Sequence, residues 1–148
     1  MILTRINSRK RGAATSVELA AVLIIFVLLL FGMLEYCRLC FTMTVVENAA
    51  REGARYAIVN LNGSTIVTDT QAQVLTFMDG LNVQDAPYSC DLYLTDGAGA
   101  NLGSPANAQF GQFICCDVSV TYVPVTPGLY FMKTFTLRSK CTMMSEAN

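Results

Sequence analysis

Leu19 to Leu34 carries no charge, and Arg9, Lys10 and Arg11 stand shortly upstream of it. These 16 residues make about 24 Å of helix at 1.5 Å per residue. A hydrocarbon core is roughly 30 Å thick. A comfortable span must therefore begin near Ala13, which puts the acid Glu18 inside the apolar layer, toward its basic end. Arg5, Arg9, Lys10 and Arg11 have no acid among them, whereas the rest of the chain holds six basic and 11 acidic side chains. A basic cluster leading into an apolar stretch predicts a membrane or export segment with its N-terminus in the cytoplasm. The bulk of the chain is then expected across the membrane.

The remaining composition narrows the function classes. With 148 residues there is room for one domain plus appendages. The formal net charge of −1, with no large basic patch, gives no electrostatic case for nucleic acid. The chain has no histidine, so the commonest general base and metal ligand is missing. A non-enzymatic protein without a cofactor is the expectation.

An ordinary secretory signal would avoid Glu18 and end in a small-x-small cleavage site. The sequence after Leu34, "EYCRLCFTMTVVENAAREGARYAIV", has no such site beside the apolar run, nor small residues just before a cysteine as a lipoprotein signal needs. The segment is expected to be retained. No proline or turn cluster interrupts Thr15 to Val59, so one helix of 45 residues is predicted, about 65–70 Å long. Glu35–Arg38, Glu47–Arg51 and Glu52–Arg55 fall at helix-supporting spacings in its amphipathic outer half. Ala50, Gly53, Ala54 and Ala57 form a stripe of small side chains, expected to pack against the chain's own domain.

Beyond the helix, "NLNGSTIVTD" (60–69) reads as a loop, and "DTQAQVLTFMDGL" as a short helix packed on a sheet, with Ala72, Leu75, Phe77 and Met78 at helical spacing and Gly80 closing it. Strands are predicted in "SCDLYLTD", "QFICCDVSVTYVP" and "TFTLRSKCTMM". Ile114, Cys116, Val118, Val120 and Tyr122 alternate against Cys115, Asp117, Ser119 and Thr121, while Phe135, Leu137, Cys141 and Met143 lie opposite Arg138 and Lys140. "GAGANLGSPANAQ" is expected to be a flexible loop and "VPVTPG" a turn. The fold class is α+β: a long N-terminal helix, a short helix and a small antiparallel sheet.

Six cysteines remain. Cys37 and Cys40 form C-x-x-C on a helix, without the strand-to-helix setting of a redox motif. No histidine is present to complete a zinc set, so neither metal binding nor thiol oxidoreductase activity is expected. Cys90, Cys115, Cys116 and Cys141 fall in the part expected in an oxidising compartment, where disulfides form. In the predicted registers Cys90, Cys116 and Cys141 face the apolar side. One bridge between strands is expected, Cys116–Cys141 slightly ahead of Cys90–Cys116, with buried free thiols as the alternative. Asn62-Gly63-Ser64 matches a glycosylation triplet too short to carry weight, and the scattered aspartates show no calcium-loop spacing.

"RGAATSVEL", "FGMLEY" and "ENAAREGARYAIV" together resemble the TadE-like family of minor pilins, or pseudopilins, of the tight-adherence (Flp) pilus, over residues 9–59. "VSVTYVP" and "CTMMSE" echo the family more faintly. The resemblance implies a basic leader over 1–12, removed by a prepilin peptidase at Gly12 or Ala13. It also implies a transmembrane helix over 13–34, an amphipathic stem over 35–59 and an exported head over 60–148. In related pilins the acid is the fifth mature residue and pairs with a neighbouring subunit's amine. Cleavage after Ala13 makes Glu18 the fifth residue, and cleavage after Gly12 makes it the sixth. The proline that commonly interrupts the family's span is missing, so a straighter helix is expected. The implied role is pilus assembly, secretion or adherence from a bacterial inner membrane, with other pilin-like subunits as partners through the helix. The competing expectation is a permanently tethered module whose head binds an extracytoplasmic ligand.

Overall fold

The computed structural model describes residues 4–61, 65–81, 87–96, 99–125 and 134–145. In chain order these form α1 (Thr4–Val59), α2 (Ile66–Met78), β1 (Tyr88–Thr95), β2 (Asn101–Gly103), a 3-10 turn (Pro105–Asn107), β3 (Phe113–Tyr122) and β4 (Phe135–Met144). The α+β class, with a long helix, a short helix and an antiparallel sheet, is as expected. α1 is longer than predicted: its 56 residues begin at Thr4 and include Gly12 and Ala13. The chain divides into two compact units, Met1–Cys37 and Arg38–Asn148.

The first unit is the leading part of α1. Every large hydrophobic side chain from Leu19 to Leu34 is exposed within it. Full burial of such a side chain gains about 1.5–3 kcal/mol, so the 13 of them gain on the order of 20–40 kcal/mol by leaving water. That exceeds the whole stability of an ordinary domain, about 5–15 kcal/mol. This part of the chain therefore calls for lipid or other apolar helices around it. α1 is the one helix among the described residues long and apolar enough to cross a membrane.

In the second unit, the continuation of α1 lies on one face of a four-stranded sheet of order β2-β1-β3-β4. Neighbouring strands are antiparallel, with Tyr88 opposite Val120, Cys116 opposite Cys141, and Tyr122 opposite Phe135. Val46, Ala49, Ala50, Ala54 and Ala57 of the helix are fully buried against Ile114, Cys116, Val118 and Val120 of β3, with Cys90 and Leu92 of β1 alongside. The small-residue stripe thus packs on the chain's own domain. Gly53 explains why the stripe is small: a Cβ there would lie 2.6 Å from Val74 Cγ2 and 2.8 Å from Cys116 Sγ. On the solvent face, Arg51 reaches Glu47 at 3.5 Å and Arg55 reaches Glu52 at 3.8 Å. Such exposed pairs contribute little.

Ile114, Cys116, Val118, Val120 and Tyr122 of β3 are buried as predicted, but Cys115 and Asp117 on its opposite face are buried too, whereas β4 alternates between half-buried and exposed residues. At the far end of the sheet, Gly111 adopts a φ of +84° and its N–H donates to the Ser145 carbonyl at 3.0 Å. The Ser145 N–H returns to the Gln112 carbonyl at 2.7 Å. A residue with a Cβ would be strained at that glycine.

Three expectations need correction. The loop predicted over 60–69 is shorter, because α2 already begins at Ile66. Its buried face is Ile66, Thr70, Val74 and Met78, one residue per turn, whereas Ala72, Leu75 and Phe77 point to solvent. The connector over 97–109 contains β2 and the 3-10 turn; Ser104 caps that turn by accepting from the Ala106 N–H at 3.4 Å. Of the predicted turn "VPVTPG", Val123 to Val125 are described and the remainder lies outside the described residues.

Candidate functional site

Glu18 is exposed on α1, one residue before the uncharged run, among Val17, Leu19 and Val22. An acid on an apolar helix is stabilised when it meets water, a cation or a hydrogen-bond donor from a partner. Gly12 and Ala13 lie on the preceding helical turns. Cys37 and Cys40 are both exposed. Among the described residues no group of three or more histidine, cysteine or acidic side chains is placed to hold a metal ion.

The other cysteines separate by sheet face. Cys90 and Cys116 are buried on the face covered by α1, and Cys141 packs against the same core. The Cys90 and Cys116 sulfurs are 4.0 Å apart. Only one of two adjoining buried thiols can ionise readily. The shared contact holds Cys116 well above the ordinary thiol range, with burial adding to the effect. The same contact lowers Cys90, opposed by its burial and by Asp91 and Asp117. Burial raises Cys141.

The opposite sheet face carries a charged network. Asp117 is 3% exposed, yet its carboxylate accepts from Arg138 Nε at 2.7 Å and from Arg138 Nη2, and Lys140 Nζ is 3.3 Å away. The register produces this arrangement: Lys140 is directly opposite Asp117, and Arg138 is one alternation along on the same strand. Burial acts to raise the Asp117 pKa, but the hydrogen bonds from Arg138 and Lys140 outweigh it and hold the group below its ordinary value. Lys140 also donates to the Tyr93 hydroxyl at 3.2 Å and lies 5.8 Å from the ring centroid. Asp117 therefore stays ionised inside the protein while both cations keep half-exposed side chains.

A second cationic contact ties the helix to the end of β3. Arg38 Nε donates to the Tyr122 hydroxyl at 3.1 Å, and its guanidinium carbon sits 4.7 Å from the centroid of that ring. Nη2 donates to the Val123 carbonyl. A cleft of about 390 Å³ opens beside these groups, lined in part by Phe41, Leu81 and Val125. Neither the Asp117 network nor the Arg38 contact was anticipated in the sequence. Alternation put Asp117, Arg138 and Lys140 on one face, but their meeting depends on a register that alternation leaves open.

Residues 13–55 match the family model described as TadE-like protein. The N-terminal region of this chain is TadE-like. The match takes in Glu18, the exposed apolar run and most of the helix face buried on the sheet. The family of that model is associated with the Tad pilus, and the match to it covers residues 13–55 alone. The long apolar N-terminal helix fits a single-pass membrane anchor. No curated protein and no solved structure matches the chain.

Proposed function

We propose that this chain is a minor pilin-like subunit, or pseudopilin, anchored in a bacterial inner membrane and taking part in assembly of a Tad-type pilus. The observation that carries the reading is an acid at the edge of a fully exposed apolar helix, inside the TadE-like region. In this reading the N-terminus is cytoplasmic and the sheet-bearing domain is exported. A prepilin peptidase removes the basic leader at Gly12 or Ala13. The freed amine of one subunit and Glu18 of its neighbour then compensate each other. A carboxylate in hydrocarbon costs up to roughly 2.5–3.5 kcal/mol at mid-membrane and less toward an interface. Pairing lowers that cost, so Glu18 favours the assembled state over the isolated span. The apolar face exchanges lipid contacts for helix–helix packing on assembly. The domain's role is to contact other subunits or the surroundings, without catalysis.

The test is Glu18→Ala in the full chain. Removing the acid leaves membrane insertion intact, because it makes the span more apolar. Co-purification with pilin-like subunits and pilus output fall. Unchanged assembly with normal membrane levels would refute the role given to Glu18.

A further inference from the structure

We propose that Cys90 and Cys116 form an intramolecular disulfide, made by exchange with an oxidised protein dithiol of the compartment that receives the domain. The proposal rests on the exported placement given above.

Three observations carry it. The sulfurs are 4.0 Å apart, across the diagonal between β1 and β3, where Cys90 faces Val118 and Cys116 faces Leu92. Both side chains are almost fully enclosed, Cys90 at 5% and Cys116 at 0% exposure. Cys116 is also backed by the α1 backbone, since a Cβ at Gly53 would stand 2.8 Å from its sulfur. The sulfur is thus confined between helix and sheet, with Cys90 as a sulfur neighbour. Both are thiols in this structure. Diagonal neighbours in a sheet stand about 7–8 Å apart, at the limit for a disulfide, so a bond of about 2.05 Å requires the backbones of β1 and β3 to draw together as well as the side chains to turn.

The chemistry balances without a metal or an oxygen species. The thiolate of one cysteine attacks the oxidised dithiol and releases one of its sulfurs as a thiolate. The second cysteine then displaces the mixed disulfide. One protein disulfide forms, one is reduced, and two protons pass from the cysteines to the carrier's thiols. Burial fixes the timing: the exchange occurs before α1 docks over the sheet, because afterwards neither sulfur is open to a protein oxidant. The bridge then ties β1 to β3 across a sequence separation of 26 residues. Closing that loop restricts the unfolded chain. Cys115, on the other sheet face, and Cys141 keep their thiols.

The experiment uses the full chain recovered from native membranes, with free thiols blocked at acid quench. No lysine or arginine lies between Arg55 and Lys133, so digestion needs an Asp-specific protease, followed by non-reducing mass spectrometry. A second sample is denatured, reduced and refolded in detergent with a glutathione redox buffer. A reporter fused after residue 148 records which side of the membrane the domain occupies. The expected result is a peptide pair joined through Cys90 and Cys116 in most molecules of both samples. It persists in Cys115→Ser and Cys141→Ser and is lost in Cys90→Ser. A Cys116–Cys141 bridge, or free Cys90 and Cys116 in an exported domain, overturns the proposal. If the reporter places the domain in the cytoplasm, the functional reading fails. The refolded sample then decides the pairing alone: a joined pair sustains it, and free or differently paired cysteines overturn it.

Discussion

Replacing Gly53 with alanine tests the close approach of α1 to α2 and β3. The added methyl carbon would stand 2.6 Å from Val74 Cγ2 and 2.8 Å from Cys116 Sγ, with Thr70 Cγ2 at 3.6 Å. Carbon atoms pack best at about 3.5–4.0 Å, so the first two contacts are deep in the repulsive range. The obstacles belong to different elements, α2 and β3, and neither can swing aside easily. Valine is stiff at χ1 in a helix, and Cys116 is fully buried. Relief requires α1 to draw back from both elements together. Overfilling a packed core costs typically about 1–3 kcal/mol, and this geometry belongs at the upper end. Alanine recovers about 1 kcal/mol through its better helix propensity. The net is a loss of about 2 kcal/mol, or about a 30-fold fall in the ratio of folded to unfolded domain. Cys115, 2% exposed and remote from the helix face, reports opening of the domain. Its alkylation in detergent-solubilised full chain, followed by peptide mass spectrometry across a urea series, gives the midpoint. Gly80→Ala is the control, since a Cβ there meets nothing within 4 Å. A Gly53→Ala chain as resistant as the wild type would refute the close crossing of α1 over α2 and β3.

Two further substitutions probe polar groups, Thr70 in the same assay and Asp117 by circular dichroism across pH, because thiol alkylation stops in acid. Thr70 is fully buried in α2 and its hydroxyl has no hydrogen-bond partner among the described residues, so Thr70→Val should raise stability by about 1 kcal/mol. A lower midpoint would mean the hydroxyl is bonded. Asp117 has a folded pKa below its ordinary value of 3.8, so its contribution is whole above that value and is lost as pH falls through the lower folded one. Asp117→Asn should therefore lose stability most at neutral pH and remove part of the wild type's decline in strong acid. An acid profile identical to the wild type's would contradict the ion-pair account.

The residues explain which parts of the architecture were legible in sequence. α1 declared itself through length without a proline, and β3 through strict alternation from Ile114 to Tyr122. The start of α2 was hidden because β-branched Ile66 and Val67 follow Asn-Gly-Ser, a combination that suggests a loop running on. Its inner face was misread because Thr70 occupies a core position while Leu75 and Phe77, the more apolar choices, face outward. β2 and the 3-10 turn depend on backbone hydrogen bonds in a segment of glycine, asparagine and alanine, where side-chain patterning is nearly silent. At the candidate site, Glu18 was conspicuous because an acid beside an apolar run is costly. The Asp117 network needed a strand register that only the folded sheet supplies, whereas Cys90–Cys116 was one of the two pairings the sequence left open.

The most direct measurement for the account as a whole is the N-terminal peptide of the chain recovered from native membranes, read by mass spectrometry. A processed pilin-like subunit begins at Ala13 or Ala14, without Arg5, Arg9, Lys10 and Arg11, and travels with other pilin-like chains. A chain that keeps those four basic residues, or is found dissolved and alone, contradicts it.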